Sequence, residues 1–240
     1  MNGGGLRIGA FAGAPVILDW SVAILAGFVI FSGLDRGGLA ALPDAISFLI
    51  AIVISILAHE FAHAGVAAAL SLPSKRIVLT FFGGHVEFVR PPEKRWHDIL
   101  VSAAGPFANL AIAAIIGFLV APFLSRDADP AAVQFLYQLL FLNLILGAFN
   151  LLPGFPLDGG RILSSALRYF LAAARARMIA AAAGVLVALG LIAYGYFNGL
   201  WWTAAIAVIL LLAAIAEFQA ARGALKGDEP DQSEPGRSNT

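Results

Sequence analysis

The chain has 240 residues and a formal net charge of zero at pH 7; 60% of the residues are hydrophobic and 12% are charged. Charged residues make up roughly a quarter of soluble domains, so part of this apolar surface requires lipid as its solvent. A neutral chain without a basic patch excludes a nucleic-acid-binding surface. The absence of cysteine excludes disulfides, thiolate metal sites and a cysteine nucleophile, so any metal must be bound by His, Asp or Glu.

Six apolar runs, each near the ~20 residues that cross the hydrocarbon core, predict six transmembrane helices. They cover about residues 17–34, 45–70, 97–124, 131–152, 178–197 and 200–221. With this division, Arg36 and Arg126 lie on one side of the membrane and all other Lys and Arg residues lie on the other. The positive-inside rule then predicts a multi-pass protein of the plasma membrane with both termini in the cytoplasm.

One segment on the predicted cytoplasmic side has the pattern of strands. Residues 76–89 (RIVLTFFGGHVEFV) are rich in β-branched and aromatic residues and contain two adjacent glycines, which predicts a short hairpin or edge strand. The strand-like residues 8–18 could pair with it. The predicted fold is an all-α polytopic membrane protein with about six transmembrane helices and a small membrane-associated β-hairpin or sheet on the cytoplasmic side. Residues 1–222 are predicted to form the transmembrane domain, and the polar residues 223–240 a disordered cytoplasmic tail.

The second predicted span contains His59-Glu60-Phe61-Ala62-His63, an H-E-x-x-H motif within an apolar helix. Residues four positions apart lie on one helical face, so both imidazoles can bind one metal ion, and the glutamate can reach a metal-bound water as general base. The alternative is that these are polar residues packed in a helix core. Ionised groups at the centre of a span cost about 2.5 to 3.5 kcal/mol each and usually mark function, which favours metal binding.

A third ligand is required, because catalytic zinc sites use about three protein ligands and leave one position for water. Asp158 is the candidate, within the segment NLLPGFPLDGG that runs from Asn150 to Gly160. The prolines of this segment interrupt a regular helix, and irregular backbone at membrane depth occurs where it is buried in protein or lines a wet cavity. The alternative is that Asp158 only caps the helix that begins near Gly160.

Three motifs together resemble the site-2 protease family of intramembrane zinc metalloproteases: HEFAH, AGPFAN at residues 104–109, and NLLPGFPLDGG. The resemblance covers the membrane core and is closest to compact prokaryotic members without a PDZ domain. It implies one zinc ion per chain with His59, His63 and Asp158 as ligands, and Glu60 as the catalytic acid and base. It also suggests a membrane protein with a single transmembrane segment as substrate.

Four further residues are candidates for contacts with a substrate. Asn150 and Asn109 could act as oxyanion donors or hold substrate backbone, and Asn150 is favoured because it is near Asp158 in sequence. The alternative for each is a hydrogen bond between helices, because buried amides need partners. Gly83 and Gly84 could let an unwound substrate pair with the edge of the hairpin, since a helical substrate must first become extended to expose its carbonyls.

The predicted function is regulated intramembrane proteolysis by a zinc metalloendopeptidase, in which zinc-activated water attacks a peptide bond within or beside a transmembrane segment. The predicted partners are the lipid bilayer, a transmembrane substrate and a membrane regulatory protein. One alternative is a membrane metal-ion transporter that uses the same ligands, which is disfavoured by the scarcity of other ionisable groups in the spans. A second is a non-catalytic scaffold with a structural zinc, which has no need of Glu60 as a base.

Overall fold

The computed structural model describes residues 4–90, 92, 94–120 and 128–227. Contacts within the chain divide it into two compact units, Met1–Leu151 and Leu152–Thr240. The elements of the first unit are β1 (Gly5–Phe11), β2 (Ala14–Asp19), α1 (Val22–Gly37), α2 (Leu42–Ala69), β3 (Ser74–Thr80), β4 (Gly83–Phe88), α3 (Arg95–Ala114) and α4 (Pro130–Asn150). Those of the second unit are α5 (Asp158–Leu167), α6 (Ala173–Phe197) and α7 (Trp201–Gly227).

The four strands form one sheet in the order β1-β2-β3-β4. The two hairpins, β1–β2 and β3–β4, are antiparallel, and β2 and β3 join them in parallel. The strand predictions for residues 8–18 and 76–89 and for their pairing are confirmed. Among the described strands, β4 has β3 as its single neighbour, so its other edge carries backbone groups outside the sheet.

The sheet packs on α2 through one apolar cluster. The buried side chains of this cluster are those of Ala14, Val16, Val22, Ala64, Ile77 and Leu79. Phe11 of β1 stacks on Phe61 of α2 with ring centroids 4.4 Å apart. Removing these side chains from water fixes the sheet against the part of α2 that carries the H-E-x-x-H motif.

Among the described residues, five stretches of helix are long and apolar enough to cross a membrane: Val22–Ala69, Arg95–Phe118, Pro130–Asn150, Ala173–Phe197 and Trp201–Leu225. Each of the six predicted runs contains a helix, although residues 17–19 belong to β2 and residues 121–124 lie outside the described residues. The first two runs lie in one stretch because α1 leads into α2 through a short 3₁₀ turn, Gly38–Ala41. Gly38 has a φ of 59°, and the chain bends back there, since a Cβ on Gly33 would lie 2.7 Å from that of Ala45.

In the second unit, α6 and α7 form an antiparallel pair of helices. The buried faces of the pair are lined by small residues, which permit close backbone approach: Ala176, Ala180, Gly184 and Ala188 on α6, and Ala207, Ala214 and Ala221 on α7. Arg177 and Glu217 form an ion pair between the two helices, with Nη2 and Oε2 2.5 Å apart. The last helix ends at Gly227 and so includes residues 223–227, which were predicted to belong to the disordered tail; residues 228–240 lie outside the described residues.

Candidate metal centre

The H-E-x-x-H motif lies on a buried face of α2. His59, Glu60 and His63 have exposed fractions of 5%, 4% and 7%, so all three are shielded from solvent within the protein. The two imidazole rings lie next to each other, with centroids 4.6 Å apart and an angle of 81° between their planes. The four-residue spacing therefore places both rings on one side of the helix, as predicted.

Both imidazoles are held at Nδ1 by α3. The Nδ1 atom of His63 is 2.6 Å from the backbone oxygen of Val101, and Nδ1 of His59 is 2.5 Å from Oδ1 of Asn109. A carbonyl oxygen can only accept, so Nδ1 carries the hydrogen and the lone pair lies on Nε2. Metal-binding histidines are commonly oriented in this way by a hydrogen bond from the second ring nitrogen.

The two Nε2 atoms face the same point on α3, where the residue is Gly105. A Cβ at this position would lie 2.6 Å from Nε2 of His59 and still closer to Nε2 of His63. A side chain on α3 would thus occupy the space in front of both lone pairs. Because Gly105 has no side chain, a gap remains beside the two nitrogen donors, and this gap fits a divalent metal ion such as Zn²⁺.

Asp158 is the first residue of α5, and its predicted partners are the two histidines. Asp158 lies in the second unit, and its role as third ligand beside His59 and His63 stays a prediction from the sequence. Leu157 occupies the N-cap position of α5, so Asp158 is not the capping residue that was considered as an alternative. Two nitrogens and a carboxylate form a donor set that suits zinc.

The loop before Asp158 packs tightly on α6 through glycines. A Cβ on Gly184 would lie 3.0 Å from the backbone nitrogen of Phe155, and a Cβ on Gly160 would lie 2.7 Å from the oxygen of Gly154. The nitrogen of Phe155 also donates to the backbone oxygen of Ala180 at 3.3 Å. These contacts hold the first turn of α5 against α6 and so restrict where the carboxylate of Asp158 can point.

Glu60 contacts the edge strand of the sheet. A Cβ on Gly84 would lie 2.7 Å from Oε1 of Glu60 and 2.5 Å from its Cγ. The backbone of β4 therefore approaches the carboxylate as closely as a glycine permits. Gly83 begins the same strand with a φ of 123°, a conformation that side chains rarely adopt, and its oxygen accepts a hydrogen bond from Oγ1 of Thr80 at 3.1 Å.

An ion pair supports this hairpin. Nη2 of Arg76 on β3 donates to Oε1 of Glu87 on β4 at 2.5 Å. This hydrogen bond lowers the pKa of the Glu87 carboxyl below its ordinary value, against the opposing effect of desolvation. The same bond raises the pKa of Arg76. The pair therefore links β3 to β4 next to the strand edge that lies beside Glu60.

Asn109 takes part in a buried hydrogen-bond network between helices. Its Nδ2 donates to the backbone oxygen of Ser55 at 3.1 Å and to Oδ1 of Asn143 at 2.6 Å. Both amide hydrogens and the oxygen of this fully buried residue are therefore engaged, and no hydrogen is left for an oxyanion. The observed bonds are those of the alternative for Asn109, a hydrogen bond between helices. The sequence analysis did not identify Asn143 or Ser55; the rule that a polar residue in an apolar helix needs a partner could have identified them.

Asn150 lies at the last position of α4. Its Nδ2 donates to the backbone oxygen of Leu146, one turn earlier, at 3.0 Å. This local bond uses one of the two amide hydrogens, so the interhelical bond that is the alternative for Asn150 is not the one observed among the described residues. The side chain is half-buried and keeps a second amide hydrogen for another partner.

Known proteins match the part of the chain that contains these motifs. Residues 47–126 and 119–192 match the family model of peptidase family M50. Rip3 of Mycobacterium tuberculosis, named as a zinc metalloprotease, is 32% identical over 215 residues, which cover 82% of this chain and 54% of Rip3. A relative from Synechocystis, also named as a zinc metalloprotease, is 30% identical over 168 residues, which cover 67% of this chain and 43% of that protein. The chain thus spans about half the length of the relatives it matches.

A solved structure shares the fold. The site-2 protease from Methanocaldococcus jannaschii matches with a TM-score of 0.68 and 24% sequence identity, over 90% of this chain and 95% of that chain. The family match includes the H-E-x-x-H helix, the residues of α3 that hold its histidines, and Asp158. The resemblance of the three motifs is confirmed, and the chain belongs to peptidase family M50.

Proposed function

We propose that this chain is an intramembrane zinc metalloendopeptidase that hydrolyses peptide bonds within or beside the transmembrane segments of membrane proteins. One observation carries the proposal: an apolar helix presents two imidazoles whose Nδ1 atoms are both held by α3 and whose Nε2 atoms face one gap at Gly105. Structural packing of polar residues would not require two lone pairs aimed at the same space.

His59, His63 and Asp158 are proposed to hold one zinc ion. Family members named as zinc metalloproteases support this assignment, as does the donor set of two imidazoles and a carboxylate. When bound, zinc supplies Lewis-acid chemistry that lowers the pKa of water and polarises a carbonyl. The Nδ1 hydrogen bonds of the two histidines keep their Nε2 lone pairs available for this purpose.

Glu60 is proposed to move the proton in both halves of the hydrolysis. Its carboxylate removes a proton from the attacking water, whose oxygen forms a bond to the carbonyl carbon of the scissile peptide. The carbon–nitrogen bond then breaks, and the protonated carboxyl returns the proton to the leaving amine. Burial in the protein, with 4% exposure, excludes bulk water that would compete for this proton.

The outer edge of β4 is proposed to bind the substrate as an added strand. A transmembrane helix must be unwound before its carbonyls can be attacked, and pairing with a sheet edge satisfies the backbone groups that unwinding exposes. Gly84 supports this role because its backbone lies directly against the Glu60 carboxylate. Gly83 begins the strand at the same end. Asn150 is proposed to contact substrate with its second amide hydrogen, as an oxyanion donor does.

The charge distribution supports a place in the plasma membrane with both termini and the sheet on the cytoplasmic side. The proposed substrate is a protein with a single transmembrane segment, and a separate membrane protein is proposed to regulate its access. The competing proposal of a metal-ion transporter predicts metal flux into liposomes without peptide cleavage. Membership of a peptidase family favours cleavage.

Glu60→Gln tests the proposed function. The variant should lose roughly 100- to 10,000-fold in cleavage, the usual contribution of general acid–base catalysis, and should still bind zinc. Asp35→Asn makes the same change at an exposed carboxylate and should behave as wild type. The readout is quantitative proteomics of single-span membrane fragments in cells that express each form, with zinc content measured on the purified chains. Equal fragment levels for Glu60→Gln and wild type would reject the role of Glu60.

A further inference from the structure

A buried asparagine in α4 belongs to the hydrogen-bond network that reaches the first histidine. Asn143 is 1% exposed and lies within an apolar helix, where an amide is costly unless it is fully bonded. It contacts Asn109, which lies 34 positions earlier in the chain, and Asn109 contacts His59. Three helices, α2, α3 and α4, are therefore joined by side-chain amides that end at a proposed metal ligand.

The orientation of the Asn143 amide is determined by its neighbours. Its Nδ2 donates to the backbone oxygen of Leu139 at 2.8 Å and to Oγ of Ser55 at 2.9 Å. The first partner can only accept, and the hydroxyl hydrogen of Ser55 is already donated to the backbone oxygen of Ala51 at 2.8 Å. A flipped amide would bring its oxygen against both acceptors, so Oδ1 of Asn143 must face α3.

This orientation sets the next amide. Oδ1 of Asn143 and the backbone oxygen of Ser55 are both acceptors, and both lie next to the same terminal group of Asn109. That group must therefore be the NH₂, and Oδ1 of Asn109 must face His59. With an acceptor at 2.5 Å, Nδ1 of His59 must carry the hydrogen, which leaves the lone pair on Nε2.

We propose that Asn143 is a positioning residue that fixes His59 as the Nδ1–H tautomer through Asn109. The inference rests on the proposed function, because it takes His59 as a metal ligand. Without Asn143, the Asn109 amide keeps the backbone oxygen of Ser55 as an acceptor but loses Oδ1 of Asn143, so the flipped form with its NH₂ toward His59 becomes populated. The imidazole then carries its hydrogen on Nε2, and a protonated Nε2 has no lone pair for a metal ion.

Asn143→Leu removes the amide while keeping a side chain of similar size. The matched control is Gln138→Leu. It also removes a hydrogen bond between α2 and α4, because Oγ of Ser47 donates to Oε1 of Gln138 at 2.8 Å. This bond is not connected to His59. Zinc affinity, measured by competition with a chelator, should fall about 10- to 100-fold in Asn143→Leu, the usual effect of losing an outer-shell partner, and should be unchanged in the control.

A second measurement follows the tautomer itself in zinc-free protein. The chain has four histidines, so selective ¹⁵N labelling gives a simple NMR spectrum in which His59 is assigned by its loss in His59→Asn. At a pH well above the ordinary histidine pKa of about 6.5, wild type should show a single Nδ1–H form and Asn143→Leu a mixture of forms. Asn143→Ala predicts the same result if the leucine variant does not fold.

A double variant separates positioning from packing. Asn109→Asp in the Asn143→Leu background presents an oxygen to His59 in either orientation, and as an acid it can still donate to the oxygen of Ser55. Both the tautomer and the zinc affinity should return toward wild type, although the volume lost at position 143 is not restored. An unchanged tautomer in Asn143→Leu, or an altered tautomer with unchanged zinc affinity, would overturn the inference. Failure of wild type to bind zinc would instead reject the proposed function, because the NMR measurement contains no metal.

Discussion

Replacement of Gly105 by alanine tests the geometry of the metal centre most directly. The added Cβ would lie 2.6 Å from Nε2 of His59. Unstrained contacts begin at roughly 3.5 Å, so α3 and the ring must separate by about 0.9 Å. The imidazoles cannot simply rotate away, because their Nδ1 atoms are bonded to Asn109 and to the oxygen of Val101 on the same helix.

A displacement of this size exceeds the tolerance of about 0.5 Å that functional constellations allow. We therefore expect Gly105→Ala to lower cleavage at least ~100-fold, the cost of a shift of about 1 Å, and to lower zinc affinity by about 10- to 100-fold. Zinc affinity is measured by chelator competition, and cleavage by the same fragment proteomics as for Glu60→Gln. Retained cooperative thermal unfolding would show that the variant is folded.

Gly65→Ala is the matched control within α2. A Cβ at this position meets only ring atoms of Phe11, at 3.8 and 3.9 Å, which are ordinary contacts. Exchange of glycine for alanine inside a helix should then stabilise the chain by up to about 1 kcal/mol and leave zinc binding unchanged. If Gly105→Ala binds zinc and cleaves as well as Gly65→Ala does, the two Nε2 atoms do not face the metal across this gap.

Two further predictions concern the sheet. Gly84→Ala places a Cβ 2.7 Å from Oε1 of Glu60 and should lower cleavage while zinc affinity is retained. Gly9→Ala is the control in the same sheet, because its Cβ meets no atom within 4 Å and cleavage should be unchanged. Equal cleavage by the two variants would contradict the contact between Gly84 and Glu60. The Arg76 hydrogen bond lowers the pKa of the Glu87 carboxyl. The ion pair therefore stabilises the hairpin fully at pH values above the ordinary carboxyl pKa of about 4.3. This stabilisation is lost as the pH falls through the lowered pKa of Glu87. Hydrogen-exchange protection of β4 should therefore decrease more steeply with acidification in wild type than in Glu87→Gln, and parallel curves would contradict this.

Much of the fold could be predicted because each signal is local. Apolar runs of membrane length identified the helices, and the β-branched segments before and after the first two spans identified the strands. Two separate apolar runs predicted two helices within residues 22–69, and the structure separates them by a four-residue turn with a positive φ at Gly38. The parallel pairing of β2 and β3 depends on α1 and α2, which lie between them in sequence.

The candidate ligands could be predicted from the sequence, but the groups that orient them could not. His59, Glu60 and His63 follow from the periodicity of one helix, and Asp158 follows from the ligand count and the resemblance. The partners of these residues could not be read from spacing, because Val101 and Asn109 lie 38 and 50 positions from the histidines they bind. Which face of α3 or α4 meets α2 is decided by packing of nearly uniform apolar surfaces, and these give no directional pattern in the sequence.

The support of both imidazoles by α3 has a consequence for redesign. A peptide with the sequence of α2 alone would present its two rings in many rotamers, and ordering them would consume part of the binding free energy of the ion. For the two imidazole ligands, the smallest transferable unit is therefore a helix pair, in which one helix carries the coordinating nitrogens and the other preorganises them. Transfer of the H-E-x-x-H helix to a new scaffold should create a strong site only when a carbonyl and an amide are grafted with it at the positions of Val101 and Asn109.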